Sequence, residues 1–267
     1  MQVSDMPEAF LRYQLQNSIR QLSPSPALFK AVLGVEQEKI TAQLAEFEEI
    51  RGIQMQQLKE SCVTELAALH GKRVLFLGDS LTADELGYRV LVSSAAALEA
   101  RNAAISGATT SSLLPICRHR IFSKTSPVPE VISIMLGTND AVSIGREEMH
   151  LVSLGEYLRN MREILTWSKK TGARVLLFAI PAVLEQRFCA HAAASGRLQS
   201  NRAIATYNAG LAALAAELGI ELIAHVAQEN ESYFEEDGLH WSVQGQTHFA
   251  EQWLRAAYKA FNKEEKA

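Results

Sequence analysis

Arg73-Val74-Leu75-Phe76-Leu77-Gly78-Asp79-Ser80-Leu81-Thr82 is the stretch whose reading decides the fold. A short apolar run rich in β-formers is closed by a glycine and two small polar residues, then passes into a helix-compatible segment. That order predicts a buried strand, a tight turn and Ser80 near the N-terminus of the next helix. A hydroxyl held there meets unpaired backbone N–H groups and the positive end of the helix dipole, which favour negative charge. An acyl-transfer nucleophile uses such surroundings, because the tetrahedral intermediate it creates carries an oxyanion. Taken alone, the same letters also describe a strand followed by an N-capping Ser or Asp. The company Ser80 keeps has to decide.

Working outward, the chain alternates between strand and helix patterns from residue 73 onward. The pattern predicts a helix over about 84–100, a short strand over 102–106 ending at Gly107, and a helix over about 110–119. A buried strand over 131–136 ends in Gly137-Thr138-Asn139-Asp140. Helical periodicity over about 147–170, a strand over 174–180 closed by Pro181, and a loop around 186–195 follow. A helix over about 198–218 is capped by Gly219 before a weak strand at 220–223. After the polar stretch 228–236 comes Asp237-Gly238-Leu239-His240-Trp241-Ser242, then a closing helix through Phe249, Trp253, Leu254 and Tyr258. The expectation is an α/β fold with a mostly parallel sheet of about five strands, covered on both faces. Ligands of such sheets bind beyond the carboxyl ends of the strands.

Residues 1–70 read differently and are expected to form a helical extension to a domain spanning 71–267. Apolar positions Ile40, Leu44, Phe47 and Ile50, then Met55, Leu58, Cys62, Leu66 and Leu69, recur at helical spacing, with a break expected near Gly52. The first reading is a helix packed on its own domain; a helix forming a homo-oligomer is the alternative. A membrane-surface helix fits least, because Glu36, Glu38, Glu46, Glu48 and Glu49 make the polar face acidic.

Bulk properties exclude several classes. With 267 residues, 48% hydrophobic and 21% charged, the chain can bury one sizeable α/β core. A net charge of -4 argues against a nucleic-acid partner, which would need a basic face. Cys62, Cys117 and Cys189 are odd in number and lack C-x-x-C spacing, so reduced thiols are expected rather than a disulfide framework or a zinc site. The N-terminus lacks a basic and then apolar leader, and no run reaches the ~18 apolar residues of a membrane span, so a cytoplasmic location is expected. There is no H-E-x-x-H, P-loop or G-x-G-x-x-G motif, and no cofactor is expected.

Gly107, Asn139 and the Asp237–His240 pair all fall after predicted strands or before the last helix, so the topology gathers them at one sheet edge with Ser80. Their types fit one chemistry. His240 can take the Ser80 proton and return it to a leaving group, while Asp237 holds the other imidazole nitrogen. Backbone N–H groups at Ser80 and Gly107, with the Asn139 amide, can supply oxyanion donors.

At this point the sequence resembles the GDSL lipases/esterases, or SGNH hydrolases. The resemblance rests on Gly78-Asp79-Ser80-Leu81, on Gly107 within residues 102–110, on Gly137-Thr138-Asn139-Asp140 and on Asp237-Gly238-Leu239-His240, in family order over 73–260. It implies a three-layer α/β/α fold and metal-independent hydrolysis of a small-molecule ester, with the roles just given. No G-x-S-x-G elbow is present. Trp241 stands where the family often has Pro, and residues 1–70 have no counterpart in its minimal domain. An acyltransferase using the same site is the nearest alternative, and a binding or scaffolding protein working through the N-terminal helices the more distant one. Asp79 and Asp140 are expected to brace their turns. Tyr88 and Trp241 are expected in the core or lining a pocket. The six further histidines, His191 at the site edge included, are expected at the surface or locally bonded.

Overall fold

The computed structural model describes residues 36–121, 127–225 and 230–262, together with Arg12 and Gly34. Two helices lead in, α1 (Gln37–Ser61) and α2 (Val63–Leu69). The α/β part then runs β1 (Arg73–Gly78), α3 (Ser80–Ala83), α4 (Tyr88–Ala95), β2 (Glu99–Asn102), α5 (Thr110–Ile121) and β3 (Val131–Met135). It continues with β4 (Ser143–Ile144), α6 (Leu154–Lys170), β5 (Arg174–Phe178), α7 (Glu185–Ala192), β6 (Arg197–Leu198), α8 (Asn201–Glu217), β7 (Leu222–Ile223) and α9 (Val243–Asn262).

The five-stranded sheet has the order β2-β1-β3-β5-β7, and every pairing in it is parallel. β-Branched and long aliphatic residues fill β1, β3 and β5, and the pleat sends alternate side chains to opposite faces. Leu75, Leu77, Ile132, Ile134 and Leu177 face one layer, where they meet Leu113 of α5, Met161 and Leu165 of α6, and Leu211 of α8. Val74, Phe76, Val131, Met135, Leu176 and Phe178 face the other, where they meet α2, α4 and α9 through Leu66, Leu69, Leu91, Trp253 and Leu254. The result is the three-layer α/β/α arrangement. Ser133, buried within the second face, accepts a hydrogen bond from the Trp253 indole at 2.9 Å, so the one polar strand position there is satisfied.

α1 lies on α4 and α9. Its Gln54 is buried and donates to Val243 O at 3.0 Å and to Thr247 Oγ1 at 2.9 Å. Leu58 and, at the junction with α2, Cys62 enter the second core face.

Several boundaries differ from the sequence expectation. α1 passes through Gly52 without a break and ends instead at Cys62. The helix expected over 84–100 is confined to α4, Tyr88–Ala95: the Asp84 carboxylate accepts the Leu86 N–H and turns the chain between α3 and α4, and β2 already begins at Glu99. β2 comes earlier than 102–106, although Ala103 and Ile105 still donate to Phe76 O and Gly78 O beyond its end. α6 starts at Leu154, seven residues late, where Ser153 caps it by accepting the Glu156 N–H. The stretch read as a loop at 186–195 is α7 plus a 3₁₀ turn over Ala193–Ser195. β4 and β6, which pair antiparallel as a separate ribbon, were not anticipated.

Candidate active site

β1 delivers the chain to Gly78, where a Cβ would lie 2.7 Å from Met135 O and 2.2 Å from Thr82 Oγ1. Only glycine lets the backbone turn this close to β3. Asp79 then caps α3, its Oδ1 accepting the Leu81 N–H at 3.1 Å, and Ser80 occupies the first helical position. Asp79 is fully buried. Burial pushes its carboxyl up to about 6, against the lowering pull of the Leu81 N–H and of Thr138.

The turn before α9 is built by a carboxylate that binds its own backbone. Asp237 Oδ1 accepts the N–H groups of Leu239 and His240, both at 2.9 Å. Its other oxygen, Oδ2, lies 2.5 Å from His240 Nδ1. The turn is anchored outside as well: Glu235 N–H donates to His240 O, Gly238 N–H to Glu235 O, and Leu184 N–H to Gly238 O. Gly238 has φ +71°, and a Cβ there would lie 2.8 Å from Leu184 O, so this position too requires glycine. Burial pushes the Asp237 carboxyl up, but the hydrogen bond and charge of His240, with the two N–H groups, hold it well below the usual carboxylate range.

His240 Nε2 lies 2.8 Å from Ser80 Oγ. With Nδ1–H pointed at an ionised Asp237, Nε2 carries the lone pair and Ser80 O–H donates to it. The structure therefore brings Ser80, His240 and Asp237, which span 160 positions of sequence, into one hydrogen-bonded line.

The loops after β2 and β3 leave the same edge of the parallel sheet as the Ser80 turn. Gly107 has φ +72°, and no atom comes within 4 Å of where its Cβ would be, so its outer side is open. Among the described residues, the N–H groups of Ser80 and Gly107 are not spent on another hydrogen bond. Asn139 is nearly buried; its Nδ2 donates one hydrogen to Ala108 O at 3.1 Å and its Oδ1 accepts from Arg197 Nη2 at 3.4 Å. Both ends of the amide are thus fixed and one N–H is left over. Asp140 ties the two loops together by accepting the Thr110 N–H at 3.0 Å and the Thr110 hydroxyl. Burial pushes the Asp140 carboxyl up to about 6, against the Thr110 bonds and with the charge of Asp79 adding to the rise. Gln199 Nε2–H donates to Thr138 O at 2.9 Å and steadies the same turn.

Other residues singled out from the sequence fall elsewhere. Tyr88 is fully buried, its hydroxyl 3.0 Å from Thr82 Oγ1, and belongs to the core. Trp241 is also buried, packs on Phe249 and His225, and lines a small pocket together with Tyr233 and His248. His191 is exposed on α7. Arg197, Arg12 and Asp84 were missed: an arginine in a two-residue strand and one near the N-terminus carry no local signal. All three cysteines are free thiols. Among the described residues no His, Cys, Asp and Glu cluster is arranged to hold a metal ion, and no helix is long and apolar enough to cross a membrane.

Comparison with known proteins agrees on the fold. The model of the GDSL-like Lipase/Acylhydrolase family matches residues 76–248. Similar solved structures include a catalytic mutant of an acetylxylan esterase from Geobacillus stearothermophilus, 22% identical, with a TM-score of 0.53 over 70% of this chain and 94% of that one. Esterase EstA from Pseudoalteromonas sp. is 18% identical, with a TM-score of 0.51 over 73% of this chain and 98% of that one. A putative SGNH hydrolase from Slackia heliotrinireducens is 18% identical, with a TM-score of 0.54 over 71% of this chain and all of that one. No curated protein sequence matches the chain.

Proposed function

The chain belongs to the GDSL-like Lipase/Acylhydrolase family and is a carboxylic ester hydrolase; from that premise we propose that it works through an acyl-enzyme on Ser80 and takes short-chain acyl or acetyl esters. The observation that carries the reading is the unbroken line from Ser80 Oγ through His240 to Asp237, at 2.8 and 2.5 Å.

In this mechanism Ser80 Oγ attacks the ester carbonyl carbon while His240 Nε2 takes the hydroxyl proton. Asp237, ionised throughout, keeps the imidazole in the tautomer that can accept and stabilises the imidazolium. The carbonyl oxygen becomes an oxyanion held by the N–H groups of Ser80 and Gly107 and by the remaining Asn139 N–H. As the intermediate collapses, the C–O bond to the alcohol breaks and His240 gives its proton to the departing oxygen. Water repeats the sequence on the acyl-enzyme: His240 takes its proton, the new C–O bond forms, and Ser80 leaves with the proton returned. The bidentate hold of Asp237 on its own turn means that little reorganisation is needed between steps.

The test is hydrolysis of p-nitrophenyl acetate and longer homologues by wild type and Ser80→Ala. Ser80→Ala is expected to lose ~10⁴–10⁶-fold in rate. Equal rates, or failure of a fluorophosphonate to label Ser80, overturn the reading. Adding alcohol or sugar acceptors to the same assay decides between water and another acceptor: transfer outrunning hydrolysis makes the protein an acyltransferase on the same acyl-enzyme.

A further inference from the structure

Arg12 is separated by more than sixty residues from the part of the chain that matches the family, yet its guanidinium is nearly buried against the candidate site. Nε and Nη2 donate to the two oxygens of Asp84, at 3.1 and 2.8 Å, in a fork-to-fork pair. Nη1 donates to Glu235 Oε1 at 3.1 Å. The two carboxylates belong to different halves of the site.

Asp84 terminates α3, the helix that begins with Ser80, and its N–H donates to Ser80 O at 3.0 Å. It is wholly excluded from solvent, and also accepts the Leu86 N–H and, at 3.2 Å, a hydrogen from Gln246 Nε2 at the start of α9. Glu235 frames the other half: its N–H donates to His240 O, and its carbonyl accepts from Gly238 within the Asp237 turn. One planar cation therefore spans the turn that carries the nucleophile and the turn that carries the acid–base pair.

From this geometry we propose that Arg12 is a positioning residue: it staples the Ser80 turn to the Asp237–His240 turn and so sets the register of Ser80 Oγ against His240 Nε2. The proposal rests on the ester-hydrolysis reading above and adds to it a residue supplied from outside the family-matched region. The physical basis is twofold. A bidentate guanidinium fixes distance and angle where a point charge would fix only distance. Proton transfer between Ser80 and His240 is steep in that distance, and a misplacement of about 1 Å costs on the order of 10²-fold in rate.

The experiment compares wild type, Arg12→Ala, Arg12→Lys, Glu235→Gln and the Arg12→Ala/Glu235→Gln pair in the full-length chain. kcat and KM on p-nitrophenyl acetate, fluorophosphonate labelling rate and thermal midpoint are recorded for each. Arg12→Ala is expected to lower kcat and the labelling rate by about 10–100-fold with KM within about twofold of wild type. Arg12→Lys recovers part of the loss, and adding Glu235→Gln to Arg12→Ala lowers kcat no further. A second readout needs no turnover: the ¹⁵N resonance of His240 Nε2, which accepts the Ser80 hydroxyl hydrogen, is expected to shift in Arg12→Ala toward that of an imidazole nitrogen without this partner. If Arg12→Ala lowers only the thermal midpoint, leaving kcat, labelling and that resonance unchanged well below the melting range, Arg12 is a structural brace and the proposal is wrong. A wild type that neither turns over esters nor labels at Ser80 removes the hydrolysis reading instead, and the imidazole resonance still judges the staple.

Discussion

Asp79→Asn should change how stability depends on pH, by an amount set by the burial of this carboxyl. In the folded chain the group is excluded from water and its pKa stands at about 6, against 3.8 when unperturbed. That is about two units, or about 3 kcal/mol at 1.36 kcal/mol per unit. The folded state holds the proton more tightly than the unfolded one. The contribution is therefore fully present only well below the unfolded value of 3.8 and is lost as pH rises through about 6, the opposite sense to a salt-bridged carboxylate. Asparagine cannot titrate, so any mismatch of its amide against Thr138 is a constant offset at every pH. The stability difference, variant minus wild type, should rise by about 2.4 kcal/mol between pH 4 and pH 8, the unfolded carboxyl being already half ionised near pH 3.8. Asp140 titrates in the same window in both proteins; since Asp79 charge helps raise its pKa, removing that charge adds slightly to the difference. Guanidinium unfolding followed by tryptophan fluorescence at pH 4, 5, 6, 7 and 8 measures this directly. A difference that stays constant across the series, whatever its sign, refutes the account of Asp79 as a carboxyl held protonated by burial.

Asp237→Ala leaves His240 free to turn and to take the wrong tautomer, and kcat on p-nitrophenyl acetate should fall by ~10³–10⁴-fold; a loss under tenfold counts against the role given to this carboxylate. Gly78→Ala drives a methyl into Met135 O and should cost more than about 2 kcal/mol in urea unfolding. Gly107→Ala meets open space and should cost only the left-handed backbone penalty of about 1–2 kcal/mol; equal costs at the two positions would show that contact with β3 is not what demands glycine at 78. Arg197→Ala releases Asn139 Oδ1, and kcat should drop about tenfold, the equivalent of about 1.4 kcal/mol, with KM nearly unchanged; an unaltered kcat would mean that Ala108 alone orients the amide.

The parts of the site that were legible in the sequence are those whose residues answer to close neighbours along the chain. Asp237 builds its turn from the N–H groups of residues 239 and 240 and then reaches the imidazole of the latter, so D-x-x-H is a complete local device. Gly78-Asp79-Ser80 is likewise local: glycine for the approach to β3, an Asp cap and the first helical residue. β3 and β5 read clearly because both their faces are covered, leaving uninterrupted apolar runs. β2 did not, since it is an edge strand carrying Glu99 and Arg101 with little burial to mark its bounds. α7 buries only Phe188 and Ala192, one turn apart, too short a stripe to stand out from a polar loop. Gly52 misled in the other direction. A glycine in an exposed helix turn costs only about 1 kcal/mol, and the buried Phe47, Gln54 and Leu58 on either side hold α1 continuous.

Arg12 marks the limit of such reading. Asp84 and Glu235 lie 72 and 223 positions away from it, and no period or spacing links the three. What the sequence could have offered is the demand rather than the supply. An Asp at the end of a four-residue helix after a buried strand is carried out of water, and a carboxylate there needs a cation or several donors. Any of 26 Lys and Arg residues could in principle answer that need, and nothing local distinguishes residue 12. Arginine is the type that fits, because two carboxylates must be met at once with fixed angles and lysine offers only a point charge. A site can thus be recognised from the residues that do its chemistry, while the residue that keeps two of its turns in register becomes visible only when the chain is folded.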